Sequence, residues 1–162
     1  RAYIEHIASS TGVAATSVGR VVLTWVLHHE RFHFFVERES TDWSFDTYPA
    51  YNEAVGPSPL RLSNVEESFA EAYAYLRTQA VPGVSQADIA AVTKVLGQGP
   101  GPYGEWRHVV GSPPSMAAFR AYTGALWNVI ATATLPPDAR SLTPSPAHGM
   151  SLLAHGVPVR LQ

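Results

Sequence analysis

The chain has 162 residues, enough for one domain with its own core, and at 46% hydrophobic and 15% charged residues it is far too apolar to stay disordered. A net charge of -2, from 11 basic against 13 acidic side chains with no basic run, excludes the electrostatic footprint of a nucleic-acid binder. Cysteine is absent, which excludes disulfides and thiolate metal sites, so any metal must be held by histidine and carboxylate.

Ile4, Ile7 and Ala8 have helical spacing over residues 2–9, closed by Thr11-Gly12, and predict a short first helix. Thr16 or Ser17 is placed to cap a long second helix, because "VGRVVLTWVLHHERFHFFVERE" runs from 18 to 39 without proline. Its apolar residues cover nearly every side, as in a central, buried helix. Residues 40–63 break all periodicity with three prolines and a glycine while keeping Trp43, Phe45, Tyr48 and Tyr51, the pattern of a packed loop.

Ser63 and Glu66 have the S-x-x-E spacing of a capping box and open a third helix, "NVEESFAEAYAYLRT". Ser85 and Asp88 repeat a similar signal before "QADIAAVTKVLG", which Gly97 ends. Glycine and proline then leave room for only a short helix over Tyr103–Val110, and a last one is expected over 115–132. "GVPVRLQ", at the end of the chain, alternates as an edge strand or extended terminus does.

No stretch reaches the ~18 consecutive apolar residues of a membrane span, and no signal peptide opens the chain, so a cytoplasmic location without a membrane partner is the default expectation. The start at Arg1 fits a fragment or a domain cut from something longer. The expected class is α+β, predominantly α-helical, in a single compact domain over 1–162.

The sharpest chemical signal is His29-Glu30-Arg31-Phe32-His33, an H-E-x-x-H match inside the long helix. Residues four apart on a helix lie about 40° round and one turn along, so His29 and His33 can chelate one ion. In the mechanism this spacing serves, zinc acidifies a water, Glu30 takes its proton as general base, and a polarised carbonyl is attacked. His28 points about 100° away and reads as a packing residue or a support to a ligand. Glu37 is a rival third ligand on the same helix, but three ligands from one straight helix strain a tetrahedral site, and a solvated helix end is preferred.

A catalytic zinc wants a third protein ligand. "EESFAEAY" resembles the glutamate-bearing helix of gluzincin metallopeptidases, whose E-x-x-A-[E/N/D] segment follows H-E-x-x-H on an adjacent helix. "HHERFHFF" with "EESFAEAYAYL" is similar in particular to the compact ImmA/IrrE-type metallopeptidases. The resemblance covers residues 20–38 and 63–77. It implies a zincin-like arrangement, one zinc per chain, Glu67 as third ligand and Glu71 as the carboxylate that orients an imidazole, with a peptide or protein as substrate. Glu66, claimed by the cap, is the rival for the place of Glu67. The family sets an edge strand before its active-site helix, whereas residues 1–16 here read as helix and turn.

Peptide hydrolysis also needs a donor to stabilise the oxyanion. Tyr103, Arg107, His108, His148 and His155 are the candidates, with His108 and Tyr103 preferred. A rival reading joins two E-x-x-H motifs, Glu30/His33 and Glu105/His108, with Glu5 and Glu67 or Glu71, into the ligand set of a di-iron oxidoreductase bundle. A third takes the chain as a non-catalytic helical interaction module or pseudoenzyme.

Overall fold

Gly12 makes the first corner of the fold. It follows α1 (Ala2–Thr11) at φ 73°, a left-handed conformation that costs glycine nothing, and its N–H caps the helix on the Ala8 carbonyl at 2.9 Å. The chain then turns through 116° into α2 (Ala15–Glu39). In this computed structural model the described residues are 1–39 and 62–111, with 113, 115–121 and 123. The remaining elements are α3 (Val65–Arg77), α4 (Gln86–Leu96) and α5 (Pro102–Val110), and residues 115–121 are also helical.

α2 is the axis of the molecule, and its two halves serve two cores. Val18 and Val21 join Ile7 of α1 with Ile89 and Val92 of α4. Trp25, Phe32, Phe35 and Val36 join Phe69 and Tyr73 of α3, Trp106 of α5 and Phe119. Burying each such large side chain contributes roughly 1.5–3 kcal/mol, which holds α2 in this central place although Leu23 and Leu27 stay exposed on its outer side. Ala70, Ala72 and Ala74 are fully buried beside the larger Phe69 and Tyr73, so α3 is packed in on several sides. Trp106 meets Trp25 edge-on at 5.3 Å and lies over Tyr75 at 4.6 Å, which ties α5 to the α2–α3 pair.

The helical order follows the sequence reading, with three differences. Thr16 and Ser17 lie inside α2 rather than at its cap, since helical bonding already begins with the Val18 N–H on the Ala14 carbonyl at 3.0 Å. The expected capping box of Ser63 and Glu66 does not form. Asn64 caps α3 instead, its side chain accepting from the Glu67 N–H at 3.1 Å, while Ser63 gives its N–H and hydroxyl to Glu105. No strand occurs among the described residues, which are predominantly helical. The aromatic loop over 40–61, the far end of the helix expected over 115–132, and the strand of the final residues lie outside the described residues. Ser85 does cap α4, accepting from the Asp88 N–H at 3.1 Å.

Among the described residues no single helix is long and apolar enough to cross a membrane. α1 and α2 pass that test only jointly and across their bend, and Ile7, Val18, Val21 and Trp25 are spent on the protein's own core.

Candidate metal centre

Residues four apart on α2 present one face, and Trp25, His29 and His33 form a column along it toward α3. On α3 the same rule puts Glu67 and Glu71 together. His29 and His33 point their Nε2 atoms at each other across 3.1 Å, one donating the proton that the other accepts. The Glu67 carboxylate straddles the pair, with Oε2 3.4 Å from His29 Nε2 and Oε1 3.5 Å from His33 Nε2.

The two Glu67 distances, one from each carboxylate oxygen, match the edge length of a coordination tetrahedron, and the 3.1 Å between the imidazoles is slightly shorter. Nitrogen and oxygen ligands of zinc at about 2.0–2.2 Å lie roughly 3.3–3.6 Å from one another. Among the described residues His29, His33 and Glu67 are the group able to hold a metal ion, one ligand atom from each lying within 4.8 Å of the others. The donor set of two imidazoles and a carboxylate fits a catalytic zinc.

Behind each imidazole stands another carboxylate. His29 Nδ1 lies 3.0 Å from Glu71 Oε1, an ionic contact angled away from an ideal hydrogen bond, and the Trp25 Nε1–H donates to Glu71 Oε2 at 2.7 Å. His33 Nδ1 lies 2.9 Å from Glu66 Oε1. Glu71 is 2% exposed, so its polar contacts come from the Trp25 and His29 groups beside it. With both Nδ1 atoms directed to carboxylates, both Nε2 atoms are turned to the common point.

Electrostatics agree with that geometry. Burial opposes a charge on His33, but Glu66 and Glu67 outweigh it and push its pKa up to about 10. Burial opposes His29 too, yet Glu67 and Glu71 raise it above 6.5. Burial works to raise Glu67, and the two histidines overcome it, holding the carboxyl below the usual carboxylate range. A metal must therefore displace a proton that the carboxylates hold on the imidazole pair. Zinc uptake at pH 8 is expected to release about one proton per ion, and affinity to climb about tenfold per pH unit toward pH 10 rather than level off above 6.5. Calorimetry in buffers of different ionisation heat measures this; no proton release at pH 8 contradicts it.

Glu30 is partly buried, and its Oε1 is buried with no hydrogen-bond partner. His28 packs edge-on against Tyr73 at 5.9 Å, and burial, followed by the charges of Arg77 and Arg31, lowers its pKa to about 4. It is thus set apart from the ligand cluster. The second E-x-x-H motif is not brought to the first: Glu105 accepts from the Ser63 N–H at 2.7 Å and the Ser63 hydroxyl at 3.0 Å, and His108 is exposed. Glu5, the remaining candidate of that set, pairs with Arg1 at 3.0 Å. Arg107 donates through Nε to the Gly104 carbonyl at 2.9 Å, and Tyr103 is half-buried near the start of α5. The side chain of Glu37, and His148 and His155, lie outside what is described.

Two participants escape sequence reasoning. Trp25 stands four residues before His29, and the need of a buried indole N–H for an acceptor was the available signal. Glu66 reads from the sequence as a cap residue and a rival ligand to Glu67, and its contact with His33 Nδ1 is the part not foreseen. Comparison with protein families, curated proteins and solved structures finds no match to the chain.

Proposed function

We propose that the chain is a zinc-dependent peptidase of the H-E-x-x-H kind, in the zincin-like arrangement of the gluzincins. His29, His33 and Glu67 hold the metal, Glu30 is the general base, and Glu71 orients His29. The observation that carries this reading is the meeting of two Nε2 atoms and one carboxylate at 3.1, 3.4 and 3.5 Å, from helices far apart in sequence. Zinc, when bound there, supplies a Lewis acid that acidifies water and polarises a carbonyl oxygen. Glu30 takes the water's proton and returns it to the leaving amine, a task suited to a carboxylate whose Oε1 has no other partner. The substrate is a peptide or protein.

Metal analysis of the purified chain tests the ligand set. One zinc per chain is expected, and Glu67→Ala is expected to weaken its retention by more than the roughly 10- to 100-fold typical of an outer partner. Unchanged zinc content in that variant overturns the assignment of Glu67. Two irons per chain favour the di-iron bundle instead, for which the position of Glu105 on Ser63 gives no support. For the reaction, the zinc-loaded chain is expected to generate new amino termini in a denatured proteome, and the chelated chain none.

A further inference from the structure

Glu66 has no place in the proposed reaction, yet its Oε1 stands 2.9 Å from His33 Nδ1, on the side of the ring away from Glu67. Asn64 has taken over the cap of α3, so nothing at the helix start claims this carboxylate. A helix places neighbours about 100° apart, which lets Glu66 reach Nδ1 of the His33 ring while Glu67 reaches Nε2. His33 Nε2 is in turn 3.5 Å from Glu67 Oε1 and 3.1 Å from His29 Nε2. The ring is held at both nitrogens.

We propose that Glu66 is the positioning residue for His33, matching Glu71 behind His29, so that α3 alone supplies one ligand and both orienting carboxylates through the pattern Glu66-Glu67-x-x-x-Glu71. This rests on the reading of His29, His33 and Glu67 as a metal site and extends it. A carboxylate on Nδ1 selects the tautomer with hydrogen there and leaves the Nε2 lone pair for the ion. The two supports differ in setting: Glu71 is sealed in the core, whereas the Glu66 side chain is 33% exposed. Replacing Glu66 therefore leaves less behind that needs a buried partner, and the fold should tolerate it.

The test measures Zn2+ affinity of the full chain against a chromophoric chelator, with the visible spectrum of the Co2+ form as a report on ligand geometry. Glu66→Ala is expected to weaken zinc roughly 10- to 100-fold and to shift the cobalt spectrum. Glu66→Gln, whose amide oxygen can still accept from Nδ1–H, is expected to recover most of the affinity and the wild-type spectrum. A wild-type chain that takes up no zinc overturns the metal site and this inference together. Wild-type binding with equal binding by Glu66→Ala overturns this inference alone. Nitrogen-15 spectra of the zinc-loaded wild-type chain decide independently of any variant: His33 protonated at Nδ1 and ligating through Nε2 supports the role, and ligation through Nδ1 overturns it.

Discussion

Glu30→Gln is expected to keep zinc at the level of the parent and to lower peptide cleavage by about 10²- to 10⁴-fold. Glutamine keeps the shape of the side chain and loses the basic oxygen. Since Glu30 Oε1 has no hydrogen-bond partner, no buried donor is stranded by the change, and the melting temperature should move little. The same variant separates three accounts of the chain. A general base leaves metal and loses rate. A di-iron ligand at this position loses metal as well, and a non-catalytic interaction module loses neither. Metal content and initial cleavage rates on a common peptide substrate are the two measurements. Cleavage retained at the parental rate sinks the hydrolytic reading.

Much of this arrangement was legible from spacing because helices turn spacing into position. His29 and His33 had to share a face of α2, and Glu67 and Glu71 a face of α3. That the two faces meet was implied by resemblance to the gluzincins; in the structure Trp25 and Phe32 of α2 share one buried cluster with Phe69 and Tyr73 of α3, Phe32 lying 5.9 Å from Tyr73. What spacing did not yield is the choice among groups of equal local merit. Ser63 and Asn64 are both good caps, and local chemistry does not choose between them. The choice falls to a long-range contact: Glu105, 42 residues on, binds Ser63 through its N–H and hydroxyl, so Asn64 caps the helix and Glu66 turns to His33. The same contact removes Glu105 from a second metal motif. Trp25 was invisible as a functional residue for a different reason, since its indole looks like core in any apolar helix until a buried acceptor is found opposite it.

That indole makes Glu71 the position where stability and the proposed metal binding would be most tightly joined. Glu71 accepts from Trp25 Nε1–H at 2.7 Å and lies 3.0 Å from His29 Nδ1, and these two partners are 1% and 3% exposed. Glu71→Ala strands both in a site water does not reach, which costs about 3–5 kcal/mol when a buried ionic partner is removed. At roughly 2–4 °C per kcal/mol for a chain of this size, the melting temperature should fall on the order of 10 °C. Glu71→Gln separates the two roles. Its carbonyl oxygen can accept from Trp25, which keeps the core anchor within about 1–3 kcal/mol of the parent. Its amide nitrogen then faces His29 and donates to Nδ1, so the ring must carry its hydrogen on Nε2, where the metal would bind. The opposite amide flip restores His29 and sets two donors against each other at Trp25. The first orientation satisfies the fully buried indole and is favoured, so zinc affinity should drop about 10- to 100-fold although the fold persists. Thermal unfolding with zinc titration of both variants measures this, and a Gln variant that binds zinc like the parent makes Glu71 an anchor for Trp25 alone.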